Sequence, residues 1–364
     1  MINNKITIGV SVGDINGIGV EVIIKTFDNP TMLELCTPVI FGSSKLISYY
    51  KKLCGSDMPF VGIDDMSQVI PGKVNIVNLW QDAPVITPGR DTEEGGRLAY
   101  SSLKAAAEAL KAGDIDALVT APINKKNIQG PDFHFQGHTE YLASVLGGEP
   151  LMFLISDALK IAVATGHISI SSVGEAITES LIEKRILQME DSLKRDFCIE
   201  KPRIAVMGLD PHTGDGGVIG TKDDEVIAPT IKRMFDQGHY VFGPYSSDGF
   251  FGSGAYTHFD ATLAMYHDQG LIPFKTIAFE DGVNFTAGLS RVRTSPDHGT
   301  GYDIAGKNMA DASSFRRAVY DAIDIFMARK EYEQLTENVL RPQKIRASSV
   351  AAAEDEPDMR DMEG

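Results

Sequence analysis

The stretch EGGRLAYSSLKAAAEALKAGDIDALVTAPINKKN, Glu94 to Asn127, holds a helix, a stop, a strand and a loop in that order. Ala105–Ala107 with Leu103 and Leu110 make a strong helix former. Gly113 supplies the residue type that closes helices in a left-handed turn. DALVTAP, Asp116–Pro122, is too short for a helix and apolar enough for a buried strand. The polar loop Thr120–Lys126 then falls at that strand's carboxyl end, where open α/β sheets bind ligands.

The same alternation runs outward in both directions. Lys5–Val12, Thr37–Gly42, Lys73–Leu79, Leu159–Thr165, Pro202–Gly208, Tyr240–Pro244, Ala261–His267 and Phe274–Phe279 read as further strands. Gly19–Phe27, Glu94–Gly113, Gly174–Phe197 and Ser313–Lys330 read as helices. Strands alternating with helices predict an α/β protein with a largely parallel sheet covered on both faces. There is no internal repeat.

The chain has 364 residues, 43% hydrophobic and 23% charged, enough for a large core and one or two domains. The formal net charge of −16 argues against nucleic-acid binding, which needs Lys and Arg against phosphates. A small anionic substrate would need a local basic cluster. No apolar run spans a bilayer, and the N-terminus lacks a signal-type pattern, so no membrane association and a cytoplasmic location are expected. Cys36, Cys54 and Cys198 are scattered, odd in number and without metal or redox spacing; they read as small buried hydrophobes.

Three histidines each follow an apolar run: His167 in IAVATGHIS, His212 in RIAVMGLDPHTGDGG and His267 in DATLAMYHDQG. Three imidazoles at strand ends have the kind and number of a catalytic metal site with an open position. Turn and core roles are about as probable for the pattern alone. All-nitrogen ligation suits zinc or another borderline divalent ion. Asp268, Asp210 and Asp215 stand beside these histidines, either to orient metal-bound imidazoles or as turn residues.

GDINGIG, Gly13–Gly19, follows a strand and opens a helix, but its spacing is not the dinucleotide fingerprint. A tight turn with close helix–strand packing is the better reading. Asp14 and Asn16 in this turn are candidates to face a site. In FQGHTEYLA, His138 and Thr139 stand where a helix begins, with Thr139 as a candidate N-cap and the helix N-terminus as an anion site. Lys275, Asn284, Arg291 and Arg293 form the local basic set that an acidic protein needs for a phosphate or carboxylate. DHGTGYDIAGKNMAD, Asp297–Asp311, reads as an ordered loop before a helix.

Taken together, GHTEYLA, DPHTGDGG, GPYSSDGFF, LAMYHDQGLIPFK and RVRTSPDHGT resemble the 4-hydroxythreonine-4-phosphate dehydrogenase family, with the match running from about Ile6 to about Leu340. The last block, continued into DIAGK, is also similar to the cofactor loop of isocitrate and isopropylmalate dehydrogenases. The resemblance implies that fold: two α/β/α domains with a cleft between them. The expected division is 1–140 plus 266–341, a second domain 141–265 carrying the dimer interface, and a mobile acidic tail 342–364. It implies a homodimer with a shared active site, metal ligands His167, His212 and His267, and His267 reaching the partner's metal. It further implies substrate contacts at His138, Thr139, Lys275, Asn284 and Arg293, and NAD or NADP contacts at His298, Gly299 and Thr300. Zinc, magnesium and cobalt are the candidate metals. Asp248 and Asp268 are candidate catalytic proton acceptors.

The implied reaction is oxidation of 4-phosphooxy-L-threonine to 2-amino-3-oxo-4-phosphooxybutanoate. That β-keto acid decarboxylates to 3-amino-2-oxopropyl phosphate in vitamin B6 biosynthesis. The alternatives are a same-fold dehydrogenase of another phosphorylated hydroxy acid, such as threonate or erythronate 4-phosphate, and a non-catalytic binding protein on the same scaffold. The chain departs from the family's usual motifs. GDINGIGVE stands for G-D-P-A-G-I-G-P-E, DPHTGD for N-P-H-A-G-E, TAGLS for T-L-G-L-P, and HGTG for H-G-T-A.

Overall fold

The computed structural model describes residues 5–338. The tail 342–364 and the last residues of the expected 266–341 segment lie outside the described residues.

Twelve strands form one sheet among the described residues. They are β1 (Ile6–Ser11), β2 (Cys36–Gly42), β3 (Phe60–Ile63), β4 (Val74–Asn78), β5 (Ala117–Thr120) and β6 (Gly148–Ile155). β7 (Lys160–Val163), β8 (Ile204–Met207), β9 (Val241–Tyr245), β10 (Ala261–Ala264), β11 (Val283–Leu289) and β12 (Val292–Pro296) follow. Their order across the sheet is β3-β4-β2-β1-β5-β12-β11-β6-β7-β10-β8-β9. Each flank is parallel, while β11 pairs antiparallel with both β12 and β6, and β6 with β7. The α/β class expected from the alternation is the one observed.

Strand residues alternate between two apolar layers, as period-2 geometry requires. On β2, Ile40 packs into one core while Val39 and Phe41 pack into another on the opposite face. The helices Gly19–Phe27, Ser44–Cys54 and Ser313–Thr336 cover the first face, and Glu93–Ala112 covers the second. Glu93–Ala112 begins at Thr92, whose hydroxyl accepts from the Gly95 N–H, and ends at Gly113 with φ +87°. Both ends are the capping chemistry of an ordinary helix. The long helix Ser313–Thr336 is locked to helix Glu179–Phe197 by a buried pair, Arg329 Nε donating to Asp196 Oδ1 at 2.6 Å.

Three expectations need correction. Phe274–Phe279 is not a strand: Phe274–Ile277 end a helix, His267–Ile277, that begins at the strand-end histidine and tolerates Pro273 inside it. The run is apolar because Phe274 packs on the sheet. Thr139 is not an N-cap; helix His138–Leu146 starts from Gly137, so Thr139 sits inside its first turn. Only Cys36 is buried: Cys54 is half-buried and Cys198 is exposed, and all three are free thiols.

The turn Gly13–Gly19 does what the tight-turn reading requires. Gly13 has φ +66°, and a Cβ there would lie 2.3 Å from the Pro122 carbonyl oxygen. The turn after β1 and the loop after β5 therefore touch backbone to backbone, and the Asp14 N–H donates to that same carbonyl at 2.9 Å. Gly13→Ala is expected to destabilise the protein by about 2–3 kcal/mol through a strained φ and a backbone clash. A urea titration checks this: the midpoint should fall with little change in slope, and an unmoved midpoint would contradict the close approach.

Candidate functional site

The middle of the sheet carries a basic side chain with nowhere to discharge. Arg293 lies on β12 between β5 and β11 and is 2% exposed. Its Nε and Nη2 donate to Thr120 Oγ1 at 3.1 and 2.6 Å, and Nη1 donates to Thr286 Oγ1 at 3.0 Å. These hydroxyls fix the guanidinium plane but neutralise nothing. Burial pulls its pKa down to about 9, with Glu140 opposing through space. A guanidinium stays charged at neutral pH, so this is a buried cation awaiting an anion. Removing an unpaired charge from water is costly unless a partner arrives.

Arg293 opens onto a cavity of about 290 Å³ at the strand ends. All five residues expected to touch substrate line it: His138, Thr139, Lys275, Asn284 and Arg293. Of the expected cofactor residues, His298 and Gly299 line it, and Thr300 does not. Three polar atoms in its walls are buried without a hydrogen-bond partner: His138 Nε2, Asn284 Oδ1 and His298 Nε2. Such atoms are normally paired, and three around one cavity mark it for a polar ligand.

The protonation states follow from neighbours. Burial, then Arg293 and Lys125, hold His138 well below the ordinary histidine range, so it is neutral at pH 7. Burial also lowers His298. Its Nδ1 lies 3.0 Å from the Gly299 carbonyl, which only accepts, so Nδ1 carries the hydrogen and Nε2 offers a lone pair. Lys275 reaches the cavity from the last turn of helix His267–Ile277 and pairs with Asp297 at 3.4 Å. Burial raises the Asp297 carboxyl, and Lys275 pulls it back.

The three histidines stand at the ends of β7, β8 and β10, which are neighbours in the order β7-β10-β8 and run parallel. The side chains split that set. His167 and His267 lie side by side, ring centroids 5.3 Å apart. His267 Nδ1 is 2.7 Å from Asp268 Oδ1, so Nδ1 carries the hydrogen and Nε2 is free to ligate. Burial, Lys125 and His267 lower His167, keeping it in the neutral, ligating form. His212 is exposed on the turn Pro211–Gly214, in a left-handed backbone conformation. No group of three His, Cys, Asp or Glu poised to hold a metal exists among the described residues. The pair His167 and His267 has the chemistry of two ligand positions for a divalent ion. A single chain does not test the expectation that His267 reaches a partner's metal; within its own chain His267 sits beside His167.

Asp248 and Asp268 do not line the cavity. Asp248 is exposed, its carboxylate held low by the Ser246 hydroxyl and the Gly249 N–H, with His212 contributing. Asp268 is exposed and engaged with His267. Arg291, part of the basic set read from the sequence, is exposed and away from the cavity.

Several contributors carry no sequence signal of their own. Thr120 and Thr286 are ordinary strand threonines until the sheet order places them beside Arg293. Gln269 ties the histidine-bearing segments together: Oε1 accepts from the Met265 N–H at 2.6 Å, and Nε2 donates to the Gly208 carbonyl at 2.6 Å and to Ser247 Oγ at 2.8 Å. Asp223 holds the His212 turn by accepting from the Leu209 and Asp210 N–H groups, both at 2.9 Å.

A family model described as "Pyridoxal phosphate biosynthetic protein PdxA" matches residues 34–322. This chain belongs to the PdxA family. A relative from Bacteroides thetaiotaomicron named 4-hydroxythreonine-4-phosphate dehydrogenase is 48% identical, covering 94% of this chain and 95% of its own. One of the same name from Prosthecochloris aestuarii is 40% identical over 88% of this chain and 97% of its own. Among solved structures, the Klebsiella pneumoniae 4-hydroxythreonine-4-phosphate dehydrogenase is 31% identical with a TM-score of 0.76, covering 89% of this chain and 98% of its own. The Burkholderia phymatum enzyme is 34% identical with a TM-score of 0.73, covering 89% and 99%.

Two departures of this PdxA-family chain now have local reasons. Gly301 has φ +55°, where an alanine would be strained, and a Cβ there would press on the Ile18 side chain at 2.9 Å. Asn16 uses a side chain that alanine lacks: Oδ1 accepts from the Thr87 N–H and Nδ2 donates to Thr92 Oγ1, both at 2.8 Å. Arg293→Lys should lose the planar fork without changing the charge. A drop of roughly 100-fold in kcat/KM for an anionic substrate is expected, from about 2–3 kcal/mol of charge-assisted hydrogen bonding. Steady-state kinetics beside a melting curve check it, and full activity would remove Arg293 from the binding set.

Proposed function

We propose that this chain is a 4-hydroxythreonine-4-phosphate dehydrogenase: it oxidises 4-phosphooxy-L-threonine with NAD or NADP, and the β-keto acid formed loses CO₂ to give 3-amino-2-oxopropyl phosphate. The family and the names of full-length relatives support a dehydrogenase. The single observation that carries the substrate class is the buried Arg293, in ion-pair contact with no carboxylate, facing a cavity with three unpartnered polar atoms.

Arg293, neutral His138 with Thr139, and Lys275 hold the charged ends of the substrate, and Asn284 orients it through its free Oδ1. Fixing these groups makes the reaction effectively unimolecular. A nicotinamide takes the hydride, and a divalent cation at His167 and His267 would stabilise the charge that develops on the reacting oxygen. Zinc is the first candidate for two imidazole ligands, with magnesium or cobalt as alternatives. His298 and Gly299 face the cofactor, with Thr300 behind them. Asp268 acts through His267 by fixing its tautomer, and Asp248 sits beside His212 rather than at the cavity.

A homodimer completes the site, and His212 of a second copy is the third ligand. Two features support this reading. Near His212, Val218 is 82% exposed, and beside His167, Ile170 is 72% exposed. Bare apolar side chains around an unfinished polar site mark a surface for another protein. The proposed division of 1–140 with 266–341 against 141–265 would put the cavity at a lobe boundary, since Thr120 and Arg293 from one set and Met152 and His167 from the other all line it. No helix among the described residues is long and apolar enough to cross a membrane; a cytoplasmic location is part of the proposal. The net charge of −16 leaves nucleic acid an unsuitable partner.

Purified protein with 4-phosphooxy-L-threonine, divalent metal and NAD or NADP should produce reduced nucleotide, and a chelator should abolish it reversibly. Turnover of threonate or erythronate 4-phosphate but not of this substrate would move the assignment to that branch. Mixing tests the shared site. His167→Ala and His212→Ala are each expected to be inactive, and random exchange between them should restore about a quarter of wild-type activity, because half the dimers carry one intact site. His167→Ala mixed with His267→Ala should restore none. The reverse pattern would make His267 the crossing ligand.

A further inference from the structure

Asp14 is fully buried and takes part in none of the ion pairs found among the described residues. Its charge is met by three donors. Oδ1 accepts from the Asn16 N–H at 2.8 Å, and Oδ2 accepts from the Tyr302 hydroxyl and from Asn127 Nδ2, both at 2.7 Å. A buried carboxylate without a cation persists only when its lone pairs are filled this way. The Tyr302 hydroxyl in turn accepts from Asn124 Nδ2 at 3.1 Å. One carboxylate thus joins the turn after β1, the loop after β5, and the loop that carries His298 and Gly299.

A second tie runs through the backbone. The Ile18 N–H donates to the Thr300 carbonyl at 2.9 Å, so the loop is fixed on both sides of Gly301. Its other end is held where the Asp297 N–H donates to Ser314 Oγ at 3.3 Å. Between these anchors His298 bonds only to its own neighbour, the Gly299 carbonyl. The direction in which His298 and Gly299 face the cavity is therefore set by the anchors and not by contacts of their own. Asn16 stiffens the frame under the clasp through Thr87, Gly89 and Thr92. Burial and the bond to Asp14 raise the Tyr302 phenol, which keeps its proton and remains a donor across the working pH range.

We propose that Tyr302 and Asp14 are positioning residues for the nicotinamide nucleotide: their hydrogen bond clasps the His298–Thr300 loop in its binding conformation before the nucleotide arrives. The proposal rests on the reading of that loop as the cofactor loop. Neither residue lines the cavity, so neither is catalytic. Their effect is to spare the nucleotide the cost of ordering the loop.

The test is Tyr302→Phe, which deletes one hydroxyl. Nucleotide affinity is measured by calorimetry without substrate, and amide hydrogen exchange over residues 298–303 is measured in the free protein. The expected results are a roughly tenfold weaker Kd, the scale of one charge-assisted hydrogen bond, faster exchange confined to that loop, and unchanged binding of inorganic phosphate in the cavity. Asp14→Asn should shift both readouts the same way. If Tyr302→Phe does not fold, Asn124→Ala, which leaves the Asp14 bond but removes its buttress, should show a smaller shift in the same direction. Unchanged Kd, or unchanged exchange of the loop, would overturn the clasp. Failure of the wild-type protein to bind either NAD or NADP would instead sink the reading of the loop on which the proposal stands.

Discussion

A buried guanidinium with no carboxylate beside it is the constraint around which this site is arranged. Arg293 sits near the middle of a twelve-stranded sheet, and its neighbours on β5 and β11 contribute hydroxyls and no charge. A carboxylate at Thr120 or Thr286 would make a comfortable ion pair and close the site to anions. With threonine at both positions the positive charge stays available, while its geometry is fixed by three hydrogen bonds. The sheet bears the cost of burying the cation, and an anion bound in the cavity would recover it.

The rest of the cavity extends the same logic. His138 is kept neutral by burial and by the cation beside it, so it offers a hydrogen bond without competing for the anion. His298 and His267 each commit Nδ1 to a local acceptor, leaving Nε2 free on the side where a ligand would come. Gln269 fixes the start of the His267 helix and Asp223 the turn that carries His212. A strand places Arg293 and a helix places Lys275, while the imidazoles come from helix starts and from a short loop.

Much of this was legible in the sequence, and the misses have physical causes. The alternation of apolar runs with helical stretches gave the α/β class, and the apolar run ending in His167 points to the end of the sheet where the cavity lies. Arg293, Lys275, Asn284 and His138 converge as the family resemblance implied. Phe274–Phe279 misled because a helix packed on a sheet buries a short apolar run much as a strand does. β11 carries a period-2 signal, with Val283, Phe285, Ala287 and Leu289 alternating with Asn284, Thr286 and Gly288, but reading Asn284 and Arg293 as members of a basic set passes over it. Thr120 and Thr286 acquire a role only through sheet order, a long-range property absent from local pattern. The turn Gly13–Gly19 was rightly read as packing, but Asp14 as the joint of three loops shows only in three dimensions.

The central claim is that the cavity at the strand ends is a phosphorylated-substrate site built on Arg293. A crystal structure with 4-phosphooxy-L-threonine tests it most directly. The account predicts substrate anionic oxygens within hydrogen-bond distance of Arg293 and His138 Nε2, with Asn284 Oδ1 no longer unpartnered. Substrate bound elsewhere, with Arg293 still facing only solvent, would contradict it.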